Sequence, residues 1–341
     1  MITPVDFAFV AAKLHGMRSK LYEAERVEPL TSLRNAFEMM ASVFPRLDVR
    51  SRTRFERTLV ETHVRDLVRV QTFLQGRNRY FFDWQLERYR VENLKVVLRG
   101  WKAQRPIDAV TELLIDLPEA YAVPVAELLA TRKLNDVIKL MPVACYGKGV
   151  RKASVQFHDT GRLFHIEAGL DQAYFEELCA RARRLKHTDR GQVNELVRRE
   201  VLMYDVLFIM RARLNYDVAP EDVREFVVTG TDPAPRRMML EPIIEADRLE
   251  GMIAALPEEK DLLGPGVMPT NLEELQQCMW ERLYLAANRL FYRAVFHMGC
   301  VEAFYYIKRV ELRNLIRIAE LLRQEIRPAQ ITRELIRLPE N

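Results

Sequence analysis

The sequence predicts an all-α fold, and three observations carry the prediction. Apolar side chains recur at steps of three and four through most of the 341 residues, which gathers them on one face of a helix. Glycine is scarce, with 13 in the whole chain, so little backbone is reserved for tight turns and bulges. Period-two alternation is confined to one passage, 155–166.

Taken in order, residues 5–22 read as a first helix, followed by an acidic, turn-rich link to Pro29. Thr31 or Ser32 can cap a second helix ending near Pro45, since a hydroxyl there accepts from the free N–H groups of the first turn. Asp48 or Ser51 opens a third, whose stripe is Phe55, Leu59, His63, Leu67, Val70 and Leu74. A fourth runs over 78–101. Pro106, Pro118 and Pro124 then divide the chain into short helical pieces.

Residues 146–149 are rich in glycine. The passage 155–166 (VQFHDTGRLFHI) reads as a small β-hairpin turning over 159–161, or else as an irregular loop: Val155 and Phe157 alternate before the turn, Leu163 and His165 after it. Helices resume over 170–185 and 192–214, and Pro220 starts another that reaches Val228. The Pro- and Gly-containing link 229–235 marks a boundary. Residues 241–256 are helical, 263–270 form a loop, and two long helices over 271–298 and 301–327 complete the chain. The helices fall into three groups of roughly 110 residues, with boundaries at 1–117, 118–232 and 233–341.

The last long helix is the most informative. Its stripe is Val301, Phe304, Leu312, Leu315, Ala319, Leu322 and Ile326, with Lys308 and Glu311 beside it where a plain bundle helix more often carries Leu. A weaker relative stands at 86–101 (LERYRVENLKVVLRGW), and two similar helices so far apart suggest an internal repeat. There Asn93 lies on the line of Leu86, Tyr89, Val96 and Gly100, and Glu311 is read as its match in the last helix. A polar group in such a place is either buried and hydrogen-bonded, fixing register, or half-wet at the edge of the stripe.

Composition excludes several function classes. Apolar residues make up 49% and charged residues 29%, as in an ordinary folded protein. A net charge of +4 gives no electrostatic case for nucleic-acid binding or a polybasic membrane anchor. Asp6 interrupts the N-terminus before an apolar run develops, so no secretion signal is expected. No window offers the ~18 apolar residues of a spanning helix. The nearest, 283–298, is broken by Asn288, Arg289 and Arg293, so direct membrane insertion is not expected. Cys145, Cys179, Cys278 and Cys300 show no CxxC spacing and are expected to be reduced, as in a cytosolic protein.

One motif is enzyme-like. His158-Asp159, followed by Gly161 and Arg162, resembles the metal-binding core of HD-domain phosphohydrolases. That chemistry needs two further ligands on facing helices, and His15 and His63 lie far away on other faces, so the pair reads as part of a turn. A metal-dependent phosphohydrolase is kept as a remote alternative. His63 and His297 read as core histidines. The chain has no GxxxxGK[ST], and 147–149 is too short to cradle a phosphate. No catalytic residue, cofactor or metal ligand is therefore assigned. The basic clusters Arg50, Arg52, Arg54 and Arg57, then Arg181 and Arg184, then Arg236 and Arg237 are either solvated faces or partner contacts.

Four segments carry a resemblance to a known family: FVAAKLHGMRSKLY (9–22), WQLERYRVENLKVVLRG (84–100), IEAGLDQAYFEEL (166–178) and VEAFYYIKRVELRNLIRI (301–318). In this order and spacing they resemble the C/d-subunit family of V-type and A-type rotary ATPases and ATP synthases. One departure is that Asp205 is followed by Phe208 where the family pattern has Asn; a hairpin at 155–166 is another. The resemblance implies an all-α body of three similar units about a pseudo-threefold axis, forming a funnel. It implies a non-catalytic rotor part at the cytoplasmic face of the membrane, between the proteolipid ring and the central-stalk subunits, that binds neither ATP nor the ion. Asn93, Arg99, Asp205, Glu311 and Leu315 would then mark the repeat. A helical-repeat scaffold with no rotary role is the runner-up.

Overall fold

The computed structural model describes residues 4–45, 51–230, 233–256, 262–264 and 267–337. Among them every regular element is helical. Six long helices form three consecutive pairs: Arg52–Gln71 with Gly76–Lys102, Leu163–Arg183 with His187–Asn215, and Leu272–Arg293 with Met298–Arg323. Within each pair the connection is short, which forces antiparallel packing.

Local chemistry sets the helix starts. Ser51, one of the two caps expected, accepts from the N–H of Arg54 at 3.2 Å. Asn271 accepts from Glu274 N at 2.8 Å, and the Glu274 carboxylate reaches back to the N–H of Thr270 at 2.8 Å, a reciprocal cap. The expected cap of the second helix at Thr31 or Ser32 is corrected. Asn35 takes that role for Ala36–Val43, accepting from Glu38 N at 3.0 Å.

The expected hairpin is also corrected. Residues 155–166 lie in two helices, Ser154–Thr160 and Leu163–Arg183, separated by Gly161 at φ 66°. The Gly161 N–H donates to Phe157 O at 2.8 Å, closing the first helix with a left-handed residue that glycine adopts without strain. A helix C-cap and a hairpin turn draw on the same Gly signal, and the alternation beside it is too short to separate them. The glycine-rich 146–149 is likewise no loop: it lies within the helix Ala144–Lys152. There Gly149 packs on Gly169 so closely that a Cβ at Gly149 would stand 2.3 Å from the Gly169 carbonyl oxygen.

Two hydrophobic cores result among the described residues. The larger runs through all three helix pairs and buries Trp84, Tyr146, Tyr174, Phe175, Tyr305 and Tyr306. The smaller joins Val27, Leu30, Met39, Phe55 and Leu59 from the N-terminal part to Leu315, Ile318 and Ile331 near the C-terminal end. The N-terminal part therefore packs on the C-terminal part, with Pro4–Arg18 against Met298–Arg323 and the short helix Glu28–Thr31 against Pro328–Arg333.

Candidate functional site

The second helix of each pair carries the same polar device. The Asn93 side chain donates to Ile115 O at 2.8 Å and accepts from Ile115 N at 2.9 Å. Asn314 does both to Ile336, at 2.9 Å each. Asp205 accepts from Val228 N at 3.0 Å. Between each side chain and its target stands a residue of positive φ: Gln104 at 50°, Asp217 at 49° and Glu325 at 57°, the non-glycine residues in that region among those described. A proline follows each of them (Pro106, Pro220, Pro328) and starts a short helix. The device thus fastens the returning chain onto the long helix 22 or 23 residues further on, and its buried amide or carboxylate is satisfied by backbone.

Asn93 is accordingly buried and bonded rather than half-wet. Its counterpart in the last helix is Asn314, not Glu311. The shared signal was the Asn-Leu pair at 93–94 and 314–315, whereas aligning Glu311 with Asn93 is three residues out of register. The Asp205–Phe208 departure also has a local account: Asp205 itself supplies the acceptor.

Five residues before these three anchors stand Arg88, Glu200 and Arg309, and the three meet in the centre. Arg88 reaches Glu200 Oε1 at 3.1 Å, Arg309 pairs with the same oxygen, and Tyr306 donates to Glu200 Oε2 at 2.7 Å. Burial alone would raise the Glu200 pKa, but Arg309 and Arg88 outweigh it and hold the carboxyl below its ordinary value. One turn away Glu302 accepts from Gln85 Nε2 at 2.7 Å. Burial, with the Glu200 carboxylate adding to it, pushes the Glu302 pKa up to about 8, so this carboxyl is mostly protonated at neutral pH. Sequence reasoning missed Arg88, Glu200, Arg309 and Asn314. A charge on a helix face is ordinarily solvated, and nothing in a single helix shows that three such faces converge.

The other expected site residues are placed as follows. Glu311 accepts from Tyr22 N at 2.9 Å and from Lys308 at 2.9 Å, and Lys308 also reaches Asp66 at 2.7 Å, tying the N-terminal segment to the last helix. Leu315 is buried in the smaller core. Arg99 makes a two-pronged pair with Glu167 at 2.7 and 2.6 Å. Arg52 pairs with Glu56 and lies 3.6 Å from Glu320. Arg181 bonds Glu177 at 2.9 Å and lies over the rings of Tyr80 and Trp84, at 4.0 and 4.3 Å from their centroids. Arg184 donates to the Tyr80 hydroxyl at 2.8 Å. Arg50 lies outside the described residues, as do the side chains of Arg236 and Arg237 on the helix Pro233–Glu245.

His158 and Asp159 are exposed on the last turn of Ser154–Thr160, and among the described residues no three His, Cys, Asp or Glu side chains gather as metal ligands. His63 is a core residue against Tyr89, as expected, and burial followed by Lys308 and Arg309 lowers its pKa well below 6.5. His297 is not: it is half-buried, 3.4 Å from Asp189. Cys179 and Cys300 are buried, Cys145 and Cys278 half-buried, and all four are free thiols. Among the described residues no helix is long and apolar enough to cross a membrane.

Comparison with known proteins places this architecture. The ATP synthase (C/AC39) subunit family matches residues 10–334. The A-type ATP synthase C-subunit of Methanosphaera stadtmanae is 19% identical over 268 residues, 75% of this chain and 67% of that protein. Its namesakes in Methanosarcina mazei and Methanothermobacter thermautotrophicus are 22% and 21% identical, over 66% and 75% of this chain and 64% and 67% of their own lengths. The match thus spans about two thirds of these relatives. With the family pattern running through all three helix pairs, the chain belongs to the ATP synthase (C/AC39) subunit family.

Proposed function

We propose that this chain is the non-catalytic rotor component of a V-type or A-type ATPase or ATP synthase. In that role it joins the membrane's proteolipid ring to the central-stalk subunits and transmits torque between ATP chemistry and ion movement. The family match over residues 10–334 carries the reading. Its partners are then the ring on the cytoplasmic face of the membrane and the tip of the stalk, and it acts without a cofactor or direct membrane insertion.

The threefold recurrence of the Asn93, Asp205 and Asn314 anchors supports a division into units over 1–117, 118–232 and 233–341, arranged about a pseudo-threefold axis as a funnel. A torque coupler must resist twisting. Paired long helices joined by short connections, pinned by buried polar anchors and an Arg–Glu–Arg junction, provide that stiffness.

The test is reconstitution of the purified chain with detergent-solubilised proteolipid ring and, separately, with assembled stalk subunits. The rotor reading expects one copy bound per ring and a ternary complex with the stalk. A chain that is folded and binds neither leaves the helical-repeat scaffold in its place.

A further inference from the structure

Where the N-terminal part meets the last long helix, a cavity of about 230 Å³ opens among the end of Pro4–Arg18 and the residues after it, Arg52–Gln71 and Met298–Arg323. Much of its wall is apolar: Leu21, Leu59 and Leu315 are buried there, and Met17, Phe44 and Leu312 are half-buried. His63 lines the same cavity with an imidazole that is only 2% exposed. Neither ring nitrogen has a hydrogen-bond partner among the described residues. The Lys308 backbone comes near enough to act on the ring's titration but not at bonding geometry, and a single backbone group serves one nitrogen at most.

A neutral imidazole carries one N–H donor and one acceptor nitrogen, and both are costly to leave unpaired away from water. The polar neighbours of His63 are already engaged. Lys308 holds Asp66 at 2.7 Å and Glu311 at 2.9 Å, and Glu311 also accepts the Tyr22 N–H at 2.9 Å. The group that completes His63 must therefore come from the cavity. The lining charges favour neither an anion nor a cation, because Asp66 and Glu311 face the buried Lys308 and the exposed, solvent-screened Lys20 and Arg69. Size sets the last condition: a cavity of about 150 Å³ takes benzene, so this one admits about ten non-hydrogen atoms. The lining thus calls for an occupant that is small, uncharged and amphipathic.

We propose that this cavity is a binding site for a neutral hydroxylated small molecule, a phenol or an alcohol, whose hydroxyl bonds a ring nitrogen of His63 and whose apolar body rests on Met17, Phe44 and Leu312. The bound molecule touches three segments distant in sequence and so ties the N-terminal part to the last long helix. The inference rests on the cavity and its imidazole and does not require the rotor reading.

The experiment titrates the full-length chain, carrying isotope-labelled histidine, with a set of neutral phenols and benzyl alcohols, each paired with its hydroxyl-free isostere, as para-ethylphenol is with para-ethyltoluene. Side-chain NMR signals of the histidines and thermal midpoints are read together. Hydroxylated members should bind with dissociation constants of about 1 mM or below, as a well-fitted molecule of this size does. They should move the His63 imidazole signals, and binding should weaken at least about fivefold when the hydroxyl is removed, the loss of one hydrogen bond. The same loss is expected in His63→Phe, which keeps a ring of similar size; the signal absent from that variant assigns His63. If that variant does not fold, His63→Gln replaces it, and the comparison of each phenol with its isostere on the parent needs no variant. Absence of binding at that concentration, isosteres bound equally well, or binding that leaves the His63 signals in place overturns the proposal.

Discussion

Asn314 brackets the backbone of Ile336, donating to its carbonyl and accepting from its N–H at 2.9 Å each, and Asn93 brackets Ile115 in the same way. Replacing Asn314 with Leu removes both bonds and strands a buried N–H and a buried carbonyl. The expected loss is about 2–4 kcal/mol in a urea titration, and less for Asn93→Leu, because Ile115 is only half-buried and water can reach its stranded groups. Asn314→Asp, which retains the acceptor and imitates Asp205, should lose less. A Leu variant with an unchanged midpoint would show that the anchors are not holding the returning chain.

The central Arg–Glu–Arg junction behaves differently under single and combined substitution. Glu200→Gln leaves Arg88 and Arg309 facing each other without a counter-charge and should cost about 3–5 kcal/mol. Substituting all three positions together with Met or Leu should recover most of that loss, because no charge is then left buried. Denaturant midpoints of the single and triple variants decide it. A triple variant as unstable as the single one would mean that the junction's geometry, rather than its charge balance, carries the stability.

Two buried groups give opposite pH dependences. For Glu302 the folded pKa of about 8 lies above the ordinary 4.5. Below about pH 4.5 both states hold the proton. From there to about pH 8 only the folded state keeps it, so stability falls as pH rises, by roughly 1.4 kcal/mol per unit, and then levels off. Glu302→Gln keeps an oxygen for Gln85 and removes the titration, so its stability relative to the parent should be greater at pH 8 than at pH 5.

His63 runs the other way. Burial, then Lys308 and Arg309, hold it neutral in the folded state, with a pKa well below 6.5. The unfolded chain takes up that proton as pH falls below 6.5, so stability drops there. His63→Phe should gain on the parent at pH 5 and not at pH 7.5, as read from thermal midpoints across the range. A parallel pH profile for either variant and the parent would remove that group as the cause.

Much of this was legible in the sequence, for stated reasons. Step-three and step-four periodicity located the long helices where one continuous face is buried, as with Phe55, Leu59 and Leu67, whereas Met298–Glu311 is buried on every side and the stripe there understates the burial. Asn93 was visible because a polar residue interrupts an otherwise apolar line. What stayed hidden depends on contacts between helices distant in sequence. Arg88, Glu200 and Arg309 each look like a surface charge until the helices converge. Gly161 signals a reversal in either a hairpin or a helix cap, and only the helical backbone on both sides decides between them. The glycines at 149 and 169 likewise mean a close crossing only once both are known to be helical.

The three positive-φ residues offer the last test. Gln104, Asp217 and Glu325 are exposed and follow the three long helices at matching points, at φ of 50°, 49° and 57°. An L-residue in this region bears a steric penalty of about 1–2 kcal/mol, while glycine bears none but loses about 0.5–1 kcal/mol more chain entropy on folding. Gln104→Gly and Glu325→Gly should therefore each stabilise by up to about 1 kcal/mol. Asp217→Gly should gain less, because an aspartate side chain can bond to nearby backbone and already tolerates the left-handed region. The ordering is the discriminating result, since strain common to the three turns predicts it and a general effect of added glycine does not. Thermal midpoints of the three single variants measure it, and a loss of stability in Glu325→Gly would show that the side chain, not the backbone, governs that turn.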